Sequence, residues 1–178
     1  MVTSYMTLTT YMTDSSNIVW DLSSIKSVRE IWMLLGMQDF LIKIDAASED
    51  EFIRVHSKVR SIHGIEDTTT MYLKNKINNK GKAIDHILDP RLGGIQHTTN
   101  EFYFIQTEES QKHHVIRQFD KIKQVEEIWN LDGVYNIVIK TKIDLNYKKR
   151  YIFCPALKRT RGISEVFACA VIKYISLL

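Results

Sequence analysis

The sequence predicts an α+β protein built from two copies of one βαββαβ unit. Its 178 residues are 44% hydrophobic and 25% charged, which suits one globular domain of ordinary size or two small ones. The segment 25–36 (IKSVREIWMLLG) returns at 122–133 (IKQVEEIWNLDG), and eight of the twelve positions are identical. About one identity is expected by chance at ordinary residue frequencies. The chain therefore contains an internal duplication, and strand-like and helix-like patterns follow the same order in both halves.

Hydrophobic alternation predicts the strands of the first copy, and capping residues predict the ends of its helices. Ser16 or Asn17 is a suitable N-cap for a first helix, whose apolar residues recur every third position. Ser48 and Glu51 have the spacing of a capping box at the start of a second helix, and Gly64 ends that helix. The predicted strands of this copy lie at 2–12, 28–35, 39–46 and 66–74.

The second copy repeats the same order with one weak element. Pro155 falls inside its second predicted helix and would kink or split it. The order βαββαβ is that of the ferredoxin-like split unit, a four-stranded antiparallel sheet with both helices on one face. The predicted strands lie at 101–107, 125–131, 135–144 and 163–175, and the predicted helices at 110–122 and 146–160.

The other face of each sheet needs a cover. Strand 28–35 carries Trp32 on one side and Ile31 on the other, so both sides are too apolar to face water. We expect the two ferredoxin-like repeats to pack sheet to sheet as an intramolecular pseudo-dimer, similar to a dimeric α+β barrel. The expected domains are a first repeat at 1–76, a linker at 77–99 and a second, degenerate repeat at 100–178.

Composition excludes several classes of protein. No apolar run approaches the ~18 residues that a membrane-spanning helix needs, and no basic region precedes the first apolar residues, so we expect a cytoplasmic protein. A net charge of +3 is too small to indicate nucleic-acid binding by itself. Cys154 and Cys169 are better explained as two buried thiols than as metal ligands, although a disulfide stays open.

A set of short motifs in the first copy resembles the effector-binding (RAM) domain of the leucine-responsive and asparagine-regulator (Lrp/AsnC) family. The pattern is a Val-rich strand, a glycine turn that ends in an acid, a capped helix, and a closing Gly-Ile-x-x-Thr-x-Thr strand. It covers about 75 residues and recurs in degraded form in the second copy. The residues that carry it are Val28, Ile31, Leu34, Gly36, Asp39, Gly64, Ile65, Thr68 and Thr70.

The resemblance implies small effectors, usually amino acids, bound in clefts between sheets that dimerise. Asp39 would pair with the ammonium group of an amino acid, while Asn136 replaces this acid in the second copy. Asp39 could equally serve the turn itself, and a β-branched strand would look the same without any ligand. The residues expected to bind the effector are Gly36, Met37, Gln38, Asp39, Thr68, Thr70, Gly133, Tyr135 and Asn136.

The resemblance also implies a function. Family regulators carry a helix-turn-helix before this domain, whereas here the first predicted strand begins almost at Met1. We therefore expect a small-molecule sensor in transcription regulation that is not an enzyme and needs no cofactor. It would act through self-association or through a DNA-binding family member, without direct contact to nucleic acid or a membrane.

Two alternatives stay open. The first is an enzyme on a dimeric α+β barrel scaffold, haem-dependent or monooxygenase-like, with His113 or His114 as axial ligand or base. The second is an interaction module with no ligand, which the degraded second copy makes credible. Neither the adjacent His113 and His114 nor the pair His56 and His63 has the spacing of a metal site, so no metal is expected.

Overall fold

The computed structural model describes residues 1–11, 15–78, 98–122, 124–144, 157 and 159–177. Strands dominate these residues, and three helices accompany them. The strands are β1 (Val2–Thr10), β2 (Val28–Leu35), β3 (Phe40–Ala46), β4 (Ile65–Asn78), β5 (Thr98–Thr107), β6 (Val125–Asp132), β7 (Ile137–Asp144) and β8 (Ile163–Ser176). The helices are α1 (Ser15–Ser23), α2 (Glu49–Arg60) and α3 (Glu109–Phe119).

The chain divides into two compact units. Unit 1 comprises residues 1–74, 131–134 and 171–178, and unit 2 comprises residues 75–130 and 135–170. Strands β4 and β8 contribute residues to both units because each is 14 residues long.

The core of unit 1 lies between its strands and the helices α1 and α2. In β1, Met6 and Leu8 alternate onto the helix side, where both are fully buried. Helix α2 contributes a stripe at helical spacing to the same core, namely Phe52, Val55 and Val59. Burial of these apolar side chains holds both helices on one face of the strands.

The start of α2 is fixed by the predicted N-cap Ser48, whereas the Glu51 carboxylate bonds the Ala47 N–H and not the Ser48 N–H that a complete capping box would use. The Glu51 backbone N–H donates to Ser48 Oγ at 3.2 Å. The Glu51 carboxylate accepts hydrogen bonds from Ser27 Oγ at 2.5 Å and from the Ala47 backbone N–H at 2.7 Å. These two bonds, the Ser27 bond first, hold the pKa of Glu51 below its usual value.

Unit 2 has a similar core, and its details confirm the duplication. Strand β6 has the same order of buried, half-buried and exposed residues as β2. Both strands carry a register irregularity at the same place, before Glu30 in β2 and before Glu127 in β6. The buried residues that pack between its strands and α3 include Tyr103, Ile105, Val115, Phe119, Val125, Ile128, Ile137 and Ile139.

The strand order corrects the predicted architecture. The strands run in the order β1-β3-β2-β8-β5-β7-β6-β4, which closes into one barrel. The expectation of two ferredoxin-like sheets stacked face to face is therefore wrong. The reason lies in the closing strands: β4 was expected at 66–74 but continues to Asn78. Both β4 and β8 are long enough to pair with a strand on each side, so backbone hydrogen bonds replace free sheet edges.

The C-terminal parts of the closing strands β4 and β8 are anchored by similar side-chain contacts in the two units. In unit 2, Lys76 Nζ lies 2.8 Å from Glu127 Oε2 and 6.0 Å from the ring centroid of Trp129. In unit 1, the Tyr174 hydroxyl donates to Glu30 at 3.1 Å, and the Tyr174 ring lies 5.5 Å from that of Trp32. The duplicated Glu and Trp of β2 and β6 thus each meet a side chain of a closing strand.

Several expectations fall on undescribed residues. The predicted helix at 146–160 lies outside the described residues except at Leu157, Thr160 and Arg159, and so does Cys154. The predicted linker at 77–99 is described only at its ends, where β4 and β5 occupy them. Cys169 is buried. Among the described helices, none combines the length and hydrophobicity that crossing a bilayer requires.

We expect Gly133→Ala to destabilise the protein. A Cβ at this position would lie 2.8 Å from the backbone oxygen of Thr70 and 3.2 Å from Met71 Cα, and Gly133 has φ +152°. The free energy of unfolding, measured by urea titration, should fall by about 1–3 kcal/mol. Val134→Ala is the control, because its 56% exposed side chain should matter by less than about 0.5 kcal/mol. Equal urea midpoints of unfolding for Gly133→Ala and Val134→Ala would contradict the close approach of Gly133 to the backbone of β4.

Candidate functional site

A cavity of about 240 Å³ lies in unit 1 between helix α2 and strand β4. The side chains that line it are Phe52, Ile53, His56, Thr70 and Tyr72. It combines aromatic and aliphatic walls with an imidazole and a hydroxyl. This is the composition expected of a small-ligand site, in which a few polar groups orient a mostly apolar molecule.

The regular periods of α2 and β4 place these side chains together. Phe52 and His56 are four residues apart, so they lie on one face of the helix. Thr70 and Tyr72 are two residues apart, so they lie on one face of the strand. In the pairing of β4 with β1, Thr70 is opposite Met6, whose side chain lies in the helix-side core. Thr70 and Tyr72 therefore face α2.

The walls of the cavity are mostly aromatic. The Phe52 ring lies 5.2 Å from the Tyr72 ring and 6.0 Å from the His56 ring, centroid to centroid. Phe52 is buried, whereas Ile53 is 56% and Tyr72 43% exposed, so these two side chains form the side that faces solvent. An apolar cavity of about 150 Å³ binds benzene, and this larger one has room for a substituted ring.

His56 is the basic group of the cavity. Burial lowers the pKa of His56 below its ordinary value of 6.5, and the positive charge of Arg60 lowers it further. The imidazole is therefore neutral at pH 7 and has a nitrogen lone pair available to accept a proton.

Thr70 lies beside Tyr72 on the opposite wall. Its Oγ1 is buried and has no hydrogen-bond partner. The Oγ of Ser4, which is opposite Tyr72 on the neighbouring strand β1, is also buried without a partner. Buried hydroxyl groups are normally hydrogen-bonded, so two exceptions on one face of the strands require an explanation.

The predicted turn at 36–39 has a structural role. Asp39 Oδ2 accepts hydrogen bonds from the Thr10 backbone N–H at 2.7 Å and from Thr10 Oγ1 at 3.1 Å. The Asp39 backbone N–H donates to the Leu8 carbonyl at 3.0 Å. Met37 is 64% exposed and Gln38 is half-buried. The carboxylate thus ties the β2–β3 hairpin to the end of β1.

The second copy builds the same tie from an amide. Asn136 Oδ1 accepts from the Thr107 backbone N–H at 3.1 Å, and Asn136 Nδ2 donates to the Thr107 carbonyl at 2.7 Å. Tyr135 packs against Phe104 and Phe167, with ring centroids 6.0 and 4.9 Å away. Burial raises the pKa of the Tyr135 hydroxyl, and the nearby Glu165 and Cys169 raise it further. Gly133 precedes this tie in the turn between β6 and β7 and approaches the backbone of β4.

The structure separates the predicted binding residues of the first copy. Asp39 holds Thr10, which is opposite Ile65, and Thr70 lies five residues further along β4. At about 3.3 Å per residue this is about 16 Å. Thr70 lines the cavity, while the turn at 36–39 does not. Thr68 is half-buried on the same face of β4 as Thr70.

Sequence reasoning missed Phe52, His56 and Tyr72. Phe52 was not singled out, and His56 was considered only as a metal ligand and rejected because of its spacing from His63. The sequence does contain one relevant pattern, an aromatic residue and a histidine four residues apart on one helix. This pattern is too common to indicate a binding site by itself.

No family model matches this chain, and no curated protein matches its sequence. Solved structures match its fold. The siroheme decarboxylase NirDL, solved alone and with an iron-uroporphyrin III analogue, superposes with a TM-score of 0.64, covering 97% of this chain and 71% of that chain at 8% identity. An anthrone oxidase-like protein superposes with a TM-score of 0.50, covering 99% of this chain and 93% of that chain at 8% identity. At such identities the likeness shows the fold alone.

The comparison corrects two expectations. We expected that the chain is not an enzyme and that it serves transcription regulation. Both expectations are corrected by the matched structures, because the fold of this chain is one found in a siroheme decarboxylase and an anthrone oxidase-like protein. The resemblance to Lrp/AsnC effector domains stays a prediction.

NirDL was solved with a bound iron-uroporphyrin III analogue, which raises the question of whether the residues of this chain fit a tetrapyrrole. His113 and His114, one of which would be the axial ligand or base in the enzyme alternative, are exposed on α3, and His114 is hydrogen-bonded to Gln118 at 2.7 Å. The cavity that contains His56 suits a ring and not a macrocycle several times larger than benzene. A second cavity offers no histidine; it is lined by Ile163, Ser164, Glu165 and Val166. Within the described part of the chain, the residues do not fit a tetrapyrrole, and no group of three or more metal-binding side chains occurs there.

We expect Asp39→Ala to lower the free energy of unfolding by about 1–2 kcal/mol, because it leaves the Thr10 backbone N–H without its acceptor. Asp39→Asn should cost less than half of this, since Asn136 makes the same tie in the second copy. Urea titration of the two variants measures both values. A loss for Asp39→Asn as large as that for Asp39→Ala would show that the charge, and not the hydrogen-bond geometry, stabilises the turn.

Proposed function

We propose that the protein is an enzyme that oxidises a small ring ketone with dioxygen, with His56 as the base that removes a proton from the substrate. The single observation that supports this proposal is the neutral imidazole of His56 inside a ring-sized cavity. Because the described residues do not fit a tetrapyrrole, the monooxygenase-like alternative is preferred to the haem-dependent one.

The walls of the cavity support a planar substrate. Phe52 and Tyr72 lie 5.2 Å apart and present aromatic surface, which packs well against another ring. The cavity of about 240 Å³ limits the enclosed part of the substrate to a bicyclic ring or a substituted single ring. The substrate class is therefore a small aromatic or ring-fused ketone.

The reaction needs one base and no external reductant. His56 accepts a proton from a methylene group next to the carbonyl, and the electron pair of that C–H bond stays on the substrate as an enolate. The enolate gives its electrons to dioxygen and a new C–O bond forms, and the proton returned by His56 makes this adduct a hydroperoxide. Loss of the second proton from the same carbon then supplies the electron pair of the C=O bond, the O–O bond breaks, and the departing hydroxide takes up that proton as water. In the balanced reaction, a methylene group and dioxygen give a carbonyl group and water, so the methylene carbon is oxidised and dioxygen is reduced. The proton held by His56 leaves with the water.

The pH dependence of this reaction is set by the pKa of His56. A neutral imidazole is required, and its fraction rises with pH through the pKa of the folded protein. Because burial lowers that pKa, the rate should rise with pH and reach half of its maximum below pH 6.5. The same lowered pKa means that the unfolded chain binds the proton more tightly, so His56 makes the folded protein less stable as the pH falls below 6.5.

We expect His56→Gln to reduce the rate about 100-fold or more, because general base catalysis contributes at least that factor. Dioxygen uptake with 2-indanone, whose methylene groups lie next to its carbonyl, measures the complete reaction. Exchange of the methylene protons of 2-indanone with deuterium from heavy water, followed by NMR without dioxygen, measures proton removal alone.

His63→Gln is the matched control, since His63 is exposed and bonded to the Tyr11 hydroxyl at 3.3 Å, away from the cavity lining. It should leave both rates unchanged. Equal rates for His56→Gln and the unmodified protein would overturn the role of His56. Absence of both uptake and exchange in the unmodified protein would overturn the proposed function.

A further inference from the structure

The side of α2 that lines the cavity continues to a positive charge. Phe52 and His56 line the cavity, and Arg60 follows His56 at the same four-residue spacing, so the three side chains lie on one side of the helix. Besides burial, the charge of Arg60 lowers the pKa of His56, which agrees with this placement. Arg60 therefore lies at one end of the cavity, about 6 Å beyond His56 along the helix axis.

Arg60 is exposed, and its charge is available to a ligand. Among the described residues, no ion pair joins Arg60 to a carboxylate. Arg60 and Lys58 both lie in the last turn of α2, where positive charge complements the helix dipole. Residues two apart on a helix point about 200° away from each other, so Lys58 provides this charge on the side away from the cavity.

The charges along this side of α2 make the two ends of the cavity different. Glu49 precedes Phe52 by three residues, so a carboxylate lies at the Phe52 end and the guanidinium of Arg60 at the other. The aromatic surface of Phe52 and Tyr72 belongs to the Phe52 end. A molecule with an apolar ring and one negative group is attracted in one orientation, with its ring against Phe52 and Tyr72 and its anionic group towards Arg60.

We propose that Arg60 binds an anionic substituent of the substrate, so that the substrate class is small ring ketones that carry a carboxylate group. This inference rests on the proposed function and deepens it. A guanidinium presents a planar fork of N–H donors that matches both oxygens of a carboxylate, so it fixes the orientation of the substrate as well as its position. The bound carboxylate also offsets the charge of Arg60 at His56, so the pKa of His56 rises and the base becomes stronger when the substrate is present.

The experiment compares benzoate with benzamide, which have nearly the same shape and differ in charge. Each is titrated into the 15N-labelled protein at low ionic strength, and the amide signals of α2 and β4 report binding at the cavity. In the unmodified protein we expect benzoate to bind about threefold to fivefold more tightly than benzamide, as is typical of one solvent-exposed charge pair. High salt should remove this difference because it screens exposed charges. Benzoate should also raise the pKa of His56, measured from the pH dependence of its imidazole signals, whereas benzamide should leave it unchanged.

Two variants complete the test. Arg60→Gln should abolish the preference for benzoate and leave the affinity for benzamide unchanged. Lys58→Gln is the matched control, since it removes the same charge from the same helical turn on the side away from the cavity, and it should keep the preference. Equal affinities for the two compounds in the unmodified protein, or an equal loss in Lys58→Gln, would overturn the inference and leave the cavity a ligand site. Failure of both compounds to bind would also overturn the inference, and the proton exchange of 2-indanone then decides separately whether the proposed function stands.

Discussion

The backbone pairing of the two closing strands is the constraint on which the rest of the structure depends. Strand β4 pairs with β1 from Ser4↔Tyr72 to Thr10↔Ile65 and is hydrogen-bonded to β6 on its other side. Strand β8 pairs with β5 from Glu101↔Ala170 to Thr107↔Ile163 and is hydrogen-bonded to β2. A strand that is paired on both sides cannot slip by one residue without moving every side chain to the opposite face.

This fixed register is what creates the candidate site. It sets Thr70 and Tyr72 on the side of α2, and the Ser48 cap with the apolar stripe of α2 sets Phe52 and His56 against them. The core of unit 1 is a continuous cluster of buried apolar side chains, so the cavity beside it is a departure from good packing. Such departures from the rules of stability are typical of functional sites, where the cost is offset by the stability of the rest of the fold.

The sequence was sufficient for the elements that local rules specify. The alternation in 28–35 gives β2 with its observed bounds, and the Ser48–Glu51 spacing gives the start of α2. Closure of the barrel was not predictable. The alternation of polar and apolar residues indicates which face of the sheet a side chain occupies, but it does not indicate which strand is the hydrogen-bonding neighbour. The end of β4 was missed since Lys74, Asn75 and Lys76 look like a polar loop, although Lys76 bonds Glu127. Asp39 was assigned to a ligand because a carboxylate beside a glycine turn suits either role, and its bond to Thr10 is a tertiary contact.

Hydrogen exchange of the backbone amides in the closing strands tests the account most directly. The Leu177 N–H donates to the Arg29 carbonyl at 2.8 Å just after β8 ends, and residues 171–176 of β8 belong to the same unit as β2. If these strands are bonded on both sides, the amides of 75–78 and 171–177 should be protected to nearly the same degree as those of β1. Exchange of both segments at the rate of an unstructured chain would contradict barrel closure, and with it the register that places Thr70 and Tyr72 beneath α2.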